Sequence, residues 1–306
     1  MKMILIRVLC ILLLLLFVST IFTGYGIFSF ALRRGSVFSK DKTSQPASAE
    51  KKGFLLENGE LITALSEDGL KLSGYFVKTK ENSHNYAILC HGYTGDSSSM
   101  NIFAEKFHSL GFSVLAPDAR AHGMSEGKVR GMGYPERRDI SVWIDEIQKM
   151  DKDAEILLFG TSMGGATVLF ASGEKDLSSS VKAVISDCAF TDVYSAISLT
   201  AKRYASYLPS FPYIDIASLF CRIFGGYSFK EASCIEAVKR STVPTLFIHG
   251  SEDKVVPSYM ADILYENAIC KKEKLIIDGA GHTKSVRVNP DLYWQRVERF
   301  LEGRFS

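Results

Sequence analysis

The stretch Ile156-Leu157-Leu158-Phe159-Gly160-Thr161-Ser162-Met163-Gly164-Gly165-Ala166-Thr167-Val168-Leu169-Phe170-Ala171 decides how this chain is read. Four consecutive apolar residues predict a buried strand, and the pattern from Ser162 to Ala171 predicts a helix. Between them lies G-x-S-x-G, which leaves very few residues to turn the chain from strand to helix. In so tight a turn the positions two before and two after the serine must be small, and Gly160 and Gly164 meet that demand. Ser162 would then stand at the end of the strand and at a helix N-terminus, where developing negative charge is favoured. An ordinary glycine-rich helix start with Ser162 as N-cap has the same six residues, so the surroundings must discriminate.

On both sides of this stretch, short apolar runs alternate with helical patterns. Leu61–Ser66 and Leu70–Lys78 read as strands around the hairpin signal Glu67-Asp68-Gly69. Further strands are expected at Tyr86–Cys90, Ser113–Pro117, Val181–Ile185, Pro244–Ile248 and Lys274–Ile277. Helices are expected at Asn101–Leu110, Pro135–Met150, Val256–Ala268 and Pro290–Leu301. The pattern predicts an α/β fold with a mostly parallel sheet of about eight strands and helices on both faces. Ligands of such sheets bind beyond the carboxyl ends of the strands, which directs attention to the residues after each strand.

A serine hydroxyl needs a base to take its proton. Lys274–Ile277 is followed by Asp278-Gly279-Ala280-Gly281-His282, whose glycines give an imidazole room to approach Ser162. The imidazole in turn needs a carboxylate to hold its tautomer. Asp253, in the loop His249-Gly250-Ser251-Glu252-Asp253 after the preceding strand, is the first choice, with Glu252 and Asp187 as rivals. An oxyanion requires backbone donors. The amides of Met163 and of Tyr93, in His91-Gly92-Tyr93-Thr94-Gly95, are the candidates, and His91 is expected to brace that loop.

Four motifs in this order carry a resemblance: HGYTG from His91, Asp118-Ala119-Arg120-Ala121-His122-Gly123-Met124-Ser125, GTSMGG from Gly160, and HGSEDKVVP from His249 with GAGH ending at His282. The chain resembles the α/β-hydrolase superfamily. Within it, the chain is similar to membrane-anchored bacterial hydrolases akin to monoacylglycerol lipases and serine aminopeptidases. The family pattern D-x-R-G-H-G-x-S has a glycine where this chain has Ala121, a departure in a loop, and His122 is expected to be structural. The resemblance implies an α/β-hydrolase fold with a helical cap at about residues 190–240, and a serine nucleophile directing acyl transfer to water. It implies cleavage of a carboxylic ester or thioester of an apolar acyl or lipid substrate, with no cofactor and no metal. A peptidase or amidase of the same fold, and a non-catalytic membrane-bound interaction module, are the alternatives. Ten aromatic residues between Phe190 and Phe229 suit either an acyl pocket or plain packing of the cap.

Val8 to Leu32 contains no charged residue and is long enough to span a bilayer as a helix. The expected organisation is a transmembrane anchor at residues 1–35, a polar flexible linker at 36–52 and a hydrolase domain at 53–306 that folds by itself. Lys2 and Arg7 precede the apolar run and Arg33, Arg34, Lys40 and Lys42 follow it, so flanking charge leaves the orientation open. The six cysteines form no CxxC pair and no zinc spacing; Cys10 sits in the apolar N-terminal run and the other five read as buried free thiols. A net charge of +2 without a basic stripe argues against nucleic acid as a partner. The rival to an anchor is a cleaved signal peptide, but no small-x-small site closes the apolar run at the usual distance. Mass spectrometry of the mature protein should therefore find the apolar segment retained. An N-terminus within residues 20–50 would show cleavage.

Overall fold

The computed structural model describes residues 1–35, 53–80 and 83–305, and the expected linker at 36–52 lies outside them. Strands form where apolar runs were continuous. β1 (Glu60–Leu65) and β2 (Lys71–Val77) make the antiparallel hairpin, with Gly69 supplying φ 84° at its turn. β3 (Asn85–Cys90), β4 (Ser113–Pro117), β5 (Glu155–Thr161), β6 (Val181–Asp187), β7 (Thr245–Gly250) and β8 (Lys272–Ile277) complete one eight-stranded sheet. Its order is β1-β2-β4-β3-β5-β6-β7-β8, and every pairing from β4 to β8 is parallel. The chain runs from β3 outward to β4 and then back to β5 on the other side of β3. The strand order therefore reverses between β3 and β5, where ligand crevices of open α/β sheets lie.

The helices are α1 (Lys2–Leu32), α2 (Phe54–Asn58), α3 (Asn101–Ser109), α4 (Glu136–Met150), α5 (Met163–Ser172) and α6 (Val193–Tyr204). They continue with α7 (Tyr213–Gly225), α8 (Cys234–Val238), α9 (Tyr259–Asn267), α10 (Ser285–Val288) and α11 (Pro290–Leu301). Alternate strand residues feed two cores. Ile88, Ile156, Leu158 and Val184 join Trp143 and Ile147 of α4 on one face. Ala87, Leu89, Leu157 and Phe159 join Phe103, Phe107, Tyr293 and Phe300 of α3 and α11 on the other. Helix α9 starts later than the expected Val256, because the amides of Val255 and Val256 donate to the Asp253 carboxylate and hold that segment in a turn. All six cysteines are unpaired and four of them are buried.

The cap, α6 and α7 with their connections, lies over the carboxyl edge. Phe190, Tyr227 and Phe229 are buried packing residues, whereas Tyr204, Tyr207, Phe211 and Phe224 are exposed. α1 is exposed on all sides from Met1 to Ser19. Its last turns are not: Phe28 and Leu32 are 1% and 0% exposed and belong to the same core as α4 and α5. The expected boundary at Gly53 therefore divides residues that share one core.

Local crowding fixes where α5 begins. A Cβ on Gly164 would lie 2.0 Å from the Cys90 carbonyl oxygen, and one on Gly160 would lie 2.1 Å from the Gly164 carbonyl oxygen. Gly281, by contrast, has nothing nearer than 3.8 Å. Gly164→Ala should destabilise the full chain by about 3 kcal/mol or more, since backbone must move apart. Gly281→Ala should stay within about 0.5 kcal/mol. Urea midpoints of the detergent-solubilised chain measure both.

Candidate active site

Because β3, β5, β6, β7 and β8 run parallel, the loops after them emerge at one edge of the sheet. Ser162 follows β5, Asp253 follows β7 and His282 follows β8. The Ser162 backbone has φ 55° and ψ −116°, a region that costs of order 1–3 kcal/mol for a residue with a side chain. It is held there by two backbone bonds. Its N–H donates to the Asp187 carbonyl at 2.8 Å, and its own carbonyl accepts from Ala166 at 2.9 Å.

The three candidate side chains meet. His282 Nε2 lies 2.8 Å from Ser162 Oγ, and His282 Nδ1 lies 2.6 Å from Asp253 Oδ2. With Nδ1–H donating to the carboxylate, Nε2 faces the serine as an acceptor. The Asp253 side chain is fully buried, whereas that of His282 is 18% exposed. Burial by itself would raise the Asp253 pKa, but hydrogen bonds from His249 and His282 outweigh it and hold the carboxyl well below its ordinary range. Asp253 Oδ1 also accepts from the Val255 and Val256 amides at 2.8 and 2.9 Å. Its carboxylate is thus ionised and fixed.

The rivals are elsewhere. Asp187 ends β6 fully buried and accepts from the Tyr293 hydroxyl at 3.0 Å. Burial, opposed by that hydrogen bond, pushes its pKa up from 3.8 to about 6. Glu252 is exposed. Sequence reasoning missed His249, whose Nε2 lies 3.3 Å from Asp253 Oδ2 and 2.9 Å from the Val256 carbonyl, and which backs the carboxylate from behind. The only signal was its place at the end of β7.

The loop after β3 approaches from the other side. A Cβ on Gly92 would be 3.5 Å from the Ser162 Cβ, so this backbone passes against the serine. His91 accepts the Ala119 N–H at Nε2 and donates from Nδ1 to the Gly92 carbonyl at 2.7 Å, the expected brace. The buried His122 ring has nitrogens 2.9 Å from the carbonyls of Tyr93 and Arg120, and desolvation depresses its pKa to about 3. Ala121, where the family pattern has glycine, takes φ 59°, a conformation that glycine adopts without cost.

These residues open into a cavity of about 620 Å³ between sheet and cap. Tyr93, Met163, Phe190, Ile197 and Val256 line it together with Ser162 and His282. Phe30 and Ala31 of α1 line it too, which the sequence did not suggest. Lys202, Arg203 and Lys254 are the cations along it, and among the described lining residues there is no Asp or Glu. Cys188, Asp253 and His282 offer ligand atoms within 4.8 Å of one another. However, both His282 nitrogens are engaged, and burial pushes the Cys188 thiol well above its ordinary range. This donor set suits hydrogen bonding better than a metal ion.

A parallel sheet carrying a serine on a strand-to-helix elbow, under a helical cap, defines a hydrolase of the α/β type. The family profile described as Hydrolase_4, serine aminopeptidase S33, matches residues 81–220. Over 238 residues the chain is 31% identical to the uncharacterized protein YqkD of Bacillus subtilis (strain 168), covering 77% of this chain and 76% of that one. Monoglyceride lipase of Mus musculus is 27% identical over 252 residues, covering 73% of this chain and 83% of the lipase. The solved Pyrococcus furiosus esterase Pf2001 superposes with a TM-score of 0.68 at 22% identity, covering 86% of this chain and 98% of that one, a likeness of fold. The chain belongs to the α/β-hydrolase superfamily.

Two aspartates at strand ends should separate on mutation. Asp253→Asn should slow the reaction of Ser162 with a fluorophosphonate on the order of ten-thousand-fold, as expected when the tautomer of a base is lost. Asp187→Asn should leave that rate at the wild-type order. Asp187 should instead appear in stability. Its folded pKa is raised, so its favourable contribution is complete below the unfolded value and is lost as pH climbs through about 6. Ionisation in place costs about 3 kcal/mol by pH 8. Asp187→Asn should therefore lose less stability than wild type between pH 4 and 8, as read from urea midpoints at each pH.

Proposed function

We propose that this protein is a serine hydrolase cleaving carboxylic ester bonds, or thioesters, of an apolar acyl substrate through an acyl-enzyme. The observation carrying this reading is the hydrogen-bonded line from Asp253 through His282 to Ser162, which opens onto an apolar cavity large enough for a drug-sized ligand. Ser162 Oγ attacks the substrate carbonyl while His282 Nε2 takes its proton, and Asp253 holds Nδ1–H and balances the imidazolium. The amides of Tyr93 and Met163 receive the oxyanion. The intermediate collapses as His282 returns the proton to the leaving alcohol. Water, deprotonated by the same ring, then attacks the acyl group and releases the acid and Ser162. No metal or organic cofactor is required by these steps.

Two features favour an ester over a peptide. The cavity walls are mainly apolar, and the charged residues lining it are cations. An aminopeptidase must hold a substrate ammonium, for which a carboxylate is the ordinary partner. We further propose that α1 is a single-pass anchor. It is the one helix among the described residues that is long and apolar enough to cross a membrane. Val8–Ile27, uncharged throughout, spans about 30 Å at 1.5 Å per residue, the thickness of the hydrocarbon core. The catalytic unit then comprises residues from Gly53 onward with the last turns of α1 docked on it, and a membrane-borne lipid is the natural class of substrate.

Ser162→Ala in the full chain should abolish hydrolysis of p-nitrophenyl esters, on the order of a million-fold, without shifting the urea midpoint. A fluorophosphonate probe should label wild type at Ser162 and nowhere else. A Ser162→Ala protein that retained a tenth of wild-type turnover would overturn the assignment. A folded wild type that took no probe would favour a binding module.

A further inference from the structure

The final turns of α1 are built into the catalytic unit. Gly24 crosses α7 so closely that a Cβ there would lie 2.3 Å from Ile216 Cγ2, whereas Gly26 has nothing within 4 Å. Phe28 stacks on Phe224 with centroids 5.7 Å apart, and Tyr25 meets Phe220 edge-on at 5.1 Å. Past the helix end, the Leu32 carbonyl accepts from Arg130 N–H at 2.8 Å. The Arg34 guanidinium donates to the carbonyls of Ser125 and Gly123 at 2.7 and 2.8 Å. This is a fixed seat with apolar, aromatic and hydrogen-bonded parts. A simple tether needs none of them.

The seat places two residues of α1 at the reaction cavity. Phe30 and Ala31 line it together with Ser162 and His282, and Phe30 meets Tyr204 of the cap edge-on at 6.4 Å. The Ala31 carbonyl accepts from the Tyr93 hydroxyl. The loop proposed to supply an oxyanion donor is therefore tied through its own side chain to the anchor. Leu219, Ile223 and Phe224 of α7 are exposed beside α1 and extend its apolar surface. If Val8–Ile27 occupies the hydrocarbon core, Phe30 and Ala31 lie only about 5 Å further along the axis, at the level of the head groups.

We infer that the end of the anchor helix, Phe30 and Ala31, is a specificity-determining wall of the substrate site, and that the site takes the single acyl chain of a lipid ester drawn from the adjoining leaflet. This rests on the hydrolase reading above and extends it to the substrate. The helix that holds the protein at the membrane also closes the acyl cavity there. An acyl chain leaving the bilayer passes from lipid to the side chains of Phe30 and Ala31 with little apolar surface exposed to water. Discrimination by chain length follows, since each methylene held in the cavity is worth about fourfold in kcat/KM.

The test uses the full-length chain in detergent, with p-nitrophenyl acetate and p-nitrophenyl laurate as substrates. Ala31→Trp puts an indole into the cavity and should lower the laurate-to-acetate ratio of kcat/KM at least tenfold, about two methylenes' worth. Gly24→Leu forces α1 away from Ile216 without touching the cavity and should lower the same ratio. Gly26→Leu, which meets open space, should leave it unchanged. Equal losses for both esters in Ala31→Trp and Gly24→Leu would assign α1 a purely structural role and overturn the inference. So would wild-type ratios in both. Binding of a fluorescent dodecanoate reads the wall without turnover and should weaken at least tenfold in Ala31→Trp. If wild type hydrolyses neither ester and takes no fluorophosphonate, the hydrolase reading fails. The dodecanoate comparison still decides whether α1 lines a lipid site.

Discussion

Helix α5 starts so close to strands β3 and β5 that no side chain fits where they touch. Gly164 rests on the Cys90 carbonyl and Gly160 on the Gly164 carbonyl, each too near for even one methyl group. This contact brings the end of β5 to the point where the strand order reverses, beside the end of β3. It forces Ser162 into its positive-φ conformation and brings the backbone after Cys90 against it. The other candidate site groups lie on loops around this contact. His282 and Asp253 each come from the carboxyl end of a parallel strand, and the sheet fixes the spacing between those ends.

Around that centre the same low dielectric acts on two carboxylates in opposite directions. Asp253 receives two backbone amides and two imidazoles, enough to keep it charged while buried. Asp187, one strand away, has a phenol as its principal partner, and burial prevails. Counting acidic residues at strand ends could not separate them. What separates them is the number of donors each receives, and for Asp253 these come from its own turn and from a histidine that ends β7.

The N-terminal helix meets two environments along its length. Up to about Ser19 it is exposed on every side, as a helix surrounded by lipid would be, while Phe28 and Leu32 are as buried as any core residue. The composition changes at the same place: Val8–Val18 is almost wholly aliphatic, whereas Ser19–Ser29 brings in serine, threonine, glycine and tyrosine. Glycine marks the crossing. In a helix it costs roughly 1 kcal/mol relative to alanine, and at Gly24 that cost is offset by close contact with α7.

The sheet and most of the elbow were legible in the sequence because they rest on local rules. Apolar runs of strand length, the Asp-Gly hairpin and the two glycines flanking Ser162 each act within a few residues. The pairing of Ser162 with His282 was legible because each follows a strand and carries small neighbours. Other features depended on partners far away in the chain. Asp253, not Asp187, lies against His282, and Tyr293, more than one hundred residues from Asp187, donates to the latter's carboxylate. His249 was signalled only by its place at the end of β7, and the α1 wall at Phe30 and Ala31 had no local pattern at all. By itself the sequence determined which segments become strands and helices and which chemistry the loops could carry, since those depend on backbone propensity and residue type over short range. Only the tertiary structure decided which buried carboxyl is held below its ordinary pKa and which is pushed above it, and which surface closes the cavity. Both are set by burial, and burial depends on what the rest of the chain brings alongside.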